Sequence, residues 1–229
     1  MENIGDETPK KGNSSYFSSF LTRIGGVFLA PDVTFNQIIA EKIRFWEPFI
    51  LVLLLVGIQG AIFASFAYRV LSAIITAISP IIGEAPLGFL AIIPWIILTL
   101  MVVATLIFWV IVAGIAHISA KYIFKGNGSF IQLMKLYGYS FVPCSLVILS
   151  TVLFGISWAA WPLSIFLNIV TTFWIVLLMA VAVKHNYGID IGKAFISSFI
   201  GPMVVLLIIV SIFWIWIWLI ISSFAGGFA

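Results

Sequence analysis

The chain has 229 residues, of which 63% are hydrophobic and 8% are charged, and its formal net charge is +3. Its mean hydropathy is +1.24. The polar residues are too few to cover the surface of a globule of this length in water. The composition therefore excludes a soluble globular protein. The small net charge gives no indication of nucleic-acid binding. The single cysteine, Cys144, excludes an internal disulfide and is expected to pack as a small hydrophobic residue.

The amino-terminal part is polar before it becomes amphipathic. Residues 1–15 are mixed in charge, and we expect a flexible polar segment there without a cleavable signal peptide. From 16 to 46, apolar residues recur at helical spacing in two stretches, which predict two amphipathic helices on the cytoplasmic surface. These helices either lead into the membrane or dock a partner. Thr34 and Gln37 form a capping-box pattern, which predicts that the second helix begins near Thr34.

Five apolar runs follow, each near or above the ~20 residues that a membrane-spanning helix needs. A proline lies near the start of each run, where a missing amide donor costs little. The sequence therefore predicts an all-α polytopic membrane protein with a bundle of five transmembrane helices over residues 47–222. The runs cover about residues 48–68, 92–120, 139–156, 161–183 and 202–222, and their prolines are Pro48, Pro94, Pro143, Pro162 and Pro202.

Two connecting segments have patterns of their own. Residues 70–88 can extend the first helix or lie in the outer headgroup region. After the second run, Gly126-Asn127-Gly128 indicates a turn, and Ser129 with Gln132 fits a second capping box. Apolar residues through Tyr137 then recur at helical spacing. This segment predicts an amphipathic helix on the cytoplasmic surface that leads into the third span.

The distribution of positive charge predicts the orientation. Ten of the eleven lysines and arginines fall on one side of the five predicted spans, and Arg69 falls on the other. Short loops rich in lysine and arginine stay cytoplasmic. We therefore expect a cytoplasmic amino terminus and an external carboxyl-terminal tail over residues 223–229.

Several stretches resemble the Yip family of five-span membrane proteins, which are named for interaction with Ypt/Rab GTPases. The residues that carry the resemblance are Lys125-Gly-Asn-Gly-Ser-Phe, Leu136-Tyr-Gly-Tyr-Ser-Phe-Val-Pro143, Pro31-Asp-x-Thr-Phe-x-x-Ile38 and His185-Asn-Tyr-Gly188 with Gly192-Lys193-Ala194. They make Gly128, Ser129, Phe130, Gly138, Tyr139, Ser140 and Pro143 candidate family positions.

The resemblance implies an integral membrane protein without established chemistry, whose eukaryotic relatives act in membrane trafficking, often as hetero-oligomers. The sequence lacks the Asp-Leu-Tyr-Gly-Pro stretch that eukaryotic trafficking members carry upstream of the first span. A prokaryotic plasma-membrane member is therefore the expectation, and homo- or hetero-oligomers with other membrane proteins are the expected partners.

The ionisable residues do not suggest catalysis. The acidic residues lie outside the predicted spans or at their edges, and His117 and His185 have no ligand cluster beside them, so neither a catalytic site, a metal nor a cofactor is predicted. His117 is expected to be a satisfied polar residue near a helix end. Gln59 and Asn168 lie inside spans and are expected to form polar contacts between helices. The cations expected to meet anionic lipid headgroups are Lys121, Lys125 and Lys135.

Two functions remain open from the sequence. The first is a non-catalytic membrane scaffold or adaptor. The second is a transporter or channel for a small molecule or lipid. The near absence of charge inside the spans argues against ion- or proton-coupled transport, because such coupling needs ionisable groups there.

Overall fold

A computed structural model describes residues 14–82 and 92–226. Most of the predicted flexible amino terminus, residues 83–91 of the outer segment and residues 227–229 of the predicted tail lie outside the described residues. Within those ranges every regular element is helical, and five helical stretches are long and apolar enough to span a membrane. The protein is an all-α polytopic membrane protein, as its sequence predicts.

The helices are numbered here in chain order. They are α1 Ser14–Leu29, α2 Pro31–Ala40, α3 Trp46–Ile82, α4 Ile93–Ile118, α5 Phe130–Ser140, α6 Cys144–Ile156, α7 Trp161–Tyr187, α8 Ile191–Phe195 and α9 Gly201–Gly226. A π-helical turn, Ser119–Ile123, continues α4, and a second one, Ile196–Ile200, joins α8 to α9. The five candidate spans are α3, α4 with its π turn, α5 with α6, α7, and α8 with the first half of α9.

Proline positions explain several helix starts. Pro94 and Pro162 lie in the first turns of α4 and α7, where the helix leaves amides unpaired in any case. Pro48 is the third residue of α3. That helix continues without a break to Ile82, with Pro80 in its last turn, so residues 70–82 extend the first helix.

The position of α5 corrects the prediction of a surface helix after the Gly-Asn-Gly turn. α5 packs between α3, α4 and α7, and its last five residues, from Leu136 to Ser140, are all buried. Gly138 permits this packing, because a Cβ atom there would lie 2.6 Å from Pro48 Cβ and 3.2 Å from the Trp109 indole. Helical periodicity identifies an apolar face but not what covers it, and here protein covers it instead of headgroups.

A short turn separates α5 from α6 inside the third candidate span. The amides of Phe141, Val142 and Cys144 each donate to the carbonyl three residues earlier, as in a 3₁₀ turn. Pro143 has no amide to donate and cannot continue an α-helical ladder. The third span is therefore a broken helix.

Packing is uneven along the bundle. Buried apolar residues of α1 to α5 and α7 form one core in the half of the bundle next to α1 and α2. Large apolar side chains at the far end remain exposed, such as Trp95 at 69% and Ile156 at 77%. Exposed apolar side chains are the expected arrangement where hydrocarbon is the solvent.

Candidate functional site: a helical cap at one end of the bundle

One end of the bundle carries a helical cap, which we define as α1, α2, residues 124–129 and residues 184–193. The start of α3 and the ends of α4 and α7 meet at this end. Lys10 and Lys11 precede the described residues, and Arg69 lies toward the far end of α3. The other eight lysines and arginines lie in or beside the cap, which makes it the basic end of the molecule.

Arg23 of α1 is buried in the cap, with 3% of its side chain exposed. Its Nε and Nη2 atoms donate to Glu47 Oε1 at 3.0 and 2.7 Å, and its Nη1 atom donates to Glu41 Oε2 at 2.7 Å. Glu47 also accepts hydrogen bonds from the hydroxyls of Tyr16 and Tyr139. We call these five residues the Arg23 latch, because they join α1 to the first turn of α3 and to α5.

The latch pairs a buried guanidinium with a buried carboxylate, and each needs the other because it is removed from water. The Glu47 side chain is 4% exposed, and a carboxylate removed from water is stable as an anion only when it is paired and hydrogen-bonded. Glu41 is 38% exposed and lies at the rim, where Gln37 also donates to it. The hydrogen bond to Glu47 raises the pKa of Tyr16, and partial burial of the phenol adds to this effect.

A second ion pair joins α2 to the end of α7. Lys184 Nζ donates to Asp32 Oδ1 at 2.8 Å, and His185 Nε2 lies 2.7 Å from the same oxygen. The hydrogen bonds from Lys184 and His185 hold the pKa of Asp32 below its usual range. Because Asp32 is 57% exposed, water screens this contact, and we expect it to stabilise the fold weakly.

The segment 124–129 packs directly on the carboxyl-terminal end of α7. The backbone N–H of Asn127 donates to the Tyr187 carbonyl at 3.1 Å, and the side-chain Nδ2 of Asn186 donates to the Ser129 carbonyl at 2.9 Å. A Cβ atom at Gly128 would lie 2.5 Å from the Asn186 carbonyl oxygen, so a larger residue cannot fit without a shift. Two stretches that resemble the Yip family and are separated by some sixty residues thus meet in space.

Neither predicted capping box forms. α2 begins at Pro31, so Thr34 lies inside the helix and its hydroxyl donates to the Ala30 carbonyl at 2.9 Å. α5 begins after Ser129, whose side chain makes no capping hydrogen bond. The Ser129 pattern nevertheless marks the start of α5 correctly, and the Ser129 carbonyl accepts hydrogen bonds from the Leu133 amide and from Asn186 Nδ2.

The other family positions contribute to packing and to the latch. Tyr139 supplies one of the two hydroxyls on Glu47, whereas the Ser140 hydroxyl donates to the Leu136 carbonyl in its own helix at 3.1 Å. Phe130 packs against the imidazole of His117, with ring centroids 5.6 Å apart. Pro143 is buried and immediately precedes α6.

His117 lies among aromatic rings close to the end of α4. Its Nδ1 atom pairs with the Tyr187 hydroxyl, and the rings of Tyr122 and Phe130 lie on other sides of the imidazole. This arrangement connects α4, α5 and α7 just beneath the segment 124–129.

The three lysines that were predicted to meet lipid headgroups differ in their surroundings. Lys121 and Lys125 are exposed, and the Lys121 ammonium lies 5.8 Å from the centre of the Tyr122 ring. Lys135 is half-buried, and its ammonium donates to the Ile43 carbonyl at 2.6 Å. Lys135 is therefore already engaged within the protein.

Gln59 of α3 and Asn168 of α7 both hydrogen-bond to α6 and not to each other. Gln59 Nε2 donates to Thr151 Oγ1 at 2.8 Å, and Asn168 Nδ2 donates to Ser150 Oγ at 2.6 Å. Asn168 also donates to the Ser164 carbonyl in its own helix. Ser150 and Thr151, which are adjacent in α6, thus connect α7 and α3 in the half of the bundle beyond the turn between α5 and α6.

The acidic residues of the described ranges are committed to structural contacts. Asp32, Glu41 and Glu47 are in ion pairs, and the Asp190 carboxylate accepts from the Gly192 amide at 2.8 Å as the cap of α8. Within the described ranges, no three histidine, cysteine, aspartate or glutamate side chains lie close enough together to hold a metal ion.

Comparison with known proteins identifies a family for the chain. The Yip1 domain family matches residues 25–215. The chain belongs to the Yip1 domain family. An uncharacterized protein of Methanocaldococcus jannaschii is 31% identical over 116 residues, which is 49% of this chain and 74% of that relative. No solved structure matches the chain. The Yip1 domain thus includes most of the cap, all five spans and the Arg23 latch except Tyr16 and Arg23, which lie just before the matched residues.

Sequence reasoning missed the residues that fix the cap. Sequence patterns place Arg23 and Glu47 beside the membrane but do not pair them, and they do not link Asp32 to Lys184 or His185. One signal was available, because Arg23 shares a helical face with Phe20 and Val27, which are apolar. A charge on an apolar helical face requires an opposite charge from another element.

Proposed function

We propose that this Yip1-domain protein is a non-catalytic scaffold or adaptor of a prokaryotic plasma membrane, with the cap as its cytoplasmic partner-binding surface. The observation that carries the proposal is the Arg23 latch. A buried ion-pair network fixes α1 to the spans, so the cap presents one geometry to a partner and does not have to order itself on binding.

The exposed surface of the cap region fits this role. Leu29, Val33, Tyr122 and Ile123 are each more than 60% exposed, and Lys121 and Lys125 are exposed beside them. Apolar side chains next to cations suit the boundary between anionic headgroups and water, where a second membrane protein would also be met. The positive-inside rule supports a cytoplasmic cap, because eight cations lie at this end.

The transporter alternative has less support from the polar residues within the bundle. Gln59 and Asn168 donate to α6 and connect helices, as packing residues do. Ionisable side chains are concentrated in the cap, away from the middle of the spans, where a coupled transporter would need them.

Site-specific photo-crosslinking in native membranes tests the scaffold role. A photoreactive residue at Asn127 in the cap, or at Tyr122 beside it, should give a discrete protein adduct that mass spectrometry assigns to a single membrane protein, because both positions are exposed. The same residue at Trp95, exposed at the far end, is the matched control and should not give that adduct. Saturable solute flux in liposomes containing the purified protein, together with equal adducts at both ends, would overturn the proposal.

Thiol labelling tests the orientation separately. In a Cys144→Ser background, Asn127→Cys should react with a membrane-impermeant reagent only after lysis, whereas Trp95→Cys should react in intact cells. The reverse pattern would place the cap outside.

A further inference from the structure

A cleft opens between α4, α7 and α9, away from the cap surface described above. Its volume is about 470 Å³, within the ~300–1,000 Å³ range of sites for small ligands. Phe108 and Ile111 of α4, Ile175 and Met179 of α7 and Val205 of α9 contribute to its apolar walls. Thr172 also lines it, but the Thr172 hydroxyl donates to the Asn168 carbonyl in its own helix at 2.8 Å.

The cleft has the depth of one membrane leaflet. Along the last span it extends from Ser198, near the cap end, to Ile209. Eleven residues at ~1.5 Å each give about 16 Å, which is close to half of the ~30 Å hydrocarbon core. Its contents must therefore be apolar and reach from the headgroup level to the middle of the bilayer.

The cleft has room for an apolar chain. A methylene chain is about 4–5 Å wide at van der Waals contact distances and would occupy roughly 250 Å³ over this length. That is less than the cleft volume of about 470 Å³. The other apolar occupant, a helix from a second copy, is distinguished from a lipid by the charge at the cap end of the cleft.

The cap end of the cleft carries positive charge. The Ser119 hydroxyl donates to Ser197 Oγ at 3.1 Å, which brings the π turn after α4 against the π turn before α9. Lys121 follows Ser119 by two residues and Lys193 precedes Ser197 by four, and both lysines are exposed. The nearby Asp190 carboxylate is held by the Gly192 amide. Two exposed lysines thus lie within four residues of the Ser119–Ser197 contact, at the end of the cleft where a lipid headgroup would be placed.

We propose that this cleft binds one acyl chain of an anionic glycerophospholipid from the leaflet on the cap side, with its phosphate near Lys121 and Lys193. The inference rests on the span assignment and the cleft, and not on the scaffold role. Hydrocarbon alone would fill the cleft nonspecifically, so the headgroup contacts are what make the site selective.

Photoreactive lipids test the site in the full-length protein in nanodiscs. Phosphatidylglycerol with a diazirine midway along one acyl chain should label peptides of α7 and α9 that line the cleft in preference to other lipid-facing helices. Val205→Trp should remove most of these adducts, because the indole occupies the cleft. Val204→Trp is the matched control on the neighbouring residue, which does not line the cleft and is exposed, and should retain them.

Two further measurements keep the test decisive if a tryptophan variant fails to fold. Phosphatidylcholine with the same diazirine should label the cleft less than phosphatidylglycerol, and Lys193→Gln should reduce the phosphatidylglycerol adducts about fivefold, from ~1 kcal/mol per cation near the surface. Wild-type adducts spread evenly over all helices would overturn the site. Equal labelling by both lipids, or a photoreactive residue at Val205 that crosslinks to a second copy, would also overturn the proposal.

Discussion

The buried guanidinium of Arg23 gives a quantitative test of how the cap is held. Arg23→Met keeps a side chain of similar length but removes four donated hydrogen bonds, three to carboxylates and one to the Tyr139 hydroxyl, and the charge that balances Glu47. Two tyrosine hydroxyls would remain on a carboxylate that is 4% exposed. Breaking a buried ion pair in this way costs about 3–5 kcal/mol. We expect the free energy of unfolding of Arg23→Met to fall by that amount.

A second substitution separates the lost charge balance from lost packing. Glu47→Gln is close to isosteric and removes the charge that Arg23→Met would leave unpaired. The double variant should therefore be more stable than Arg23→Met alone, because replacing both members of a buried pair often costs little. Arg44→Met, at an exposed arginine nearby, is the control and should change stability by less than about 0.5 kcal/mol.

Unfolding of the purified protein by SDS in mixed micelles, followed by tryptophan fluorescence, measures these differences. The reasoning fails if Arg23→Met loses no more stability than Arg44→Met. It also fails if the losses of Arg23→Met and Glu47→Gln simply add in the double variant, since the two side chains would then not interact.

Three other outcomes are expected from the same unfolding assay. The pKa of Asp32 is lowered in the fold, so its ion pair stabilises the folded protein at pH values above the usual aspartate pKa. Wild type should be more stable than Asp32→Asn by up to about 1 kcal/mol, and this difference should shrink as the pH falls below about 4. A difference that does not change with pH would contradict this. Gly128→Ala should cost about 1–3 kcal/mol because its methyl group meets the end of α7, whereas Gly25→Ala, in open space on α1, should be neutral or slightly stabilising. In a cycle of Gln59→Leu and Thr151→Val, we expect a coupling of about 0.6–1.7 kcal/mol, and strictly additive losses would show that the hydrogen bond contributes nothing.

The spans were predictable because hydropathy and length report directly on the solvent of a helix. An apolar run of about twenty residues must pair its backbone groups internally in hydrocarbon, and a helix is the local solution. The prolines mark five helix starts, since their effect is also local, but Pro143 and Pro202 lie inside the third and fifth candidate spans instead of at their beginnings. The all-α fold could therefore be predicted without knowledge of any contact between helices, whereas the resemblance to the Yip family rests on short motifs spread over about residues 28–222.

The cap could not be predicted in the same way, because its contacts are between distant segments. The apolar face of α5 has the same spacing whether lipid or protein covers it, and burial beside Gly138 depends on the positions of Pro48 and Trp109. Arg23 and Glu47 are 24 residues apart, and no sequence period relates them. The count of lysines and arginines predicts the side of the membrane for Arg23, and Glu47 lies at the edge of a predicted span, but neither observation shows that the two side chains are buried together.

The two halves of the bundle are stabilised by different kinds of interaction. In the half beside the cap, a continuous apolar core and the Arg23 latch fix α1, α3 and α5 together. In the other half, most large apolar side chains face outward, where lipid replaces protein contacts, and hydrogen bonds such as Gln59 to Thr151 connect neighbouring helices. Apolar contact between helices brings little gain over contact with lipid. We therefore infer that the far half adapts to its lipid surroundings while the cap keeps its geometry, which is the property that a surface for binding partners requires.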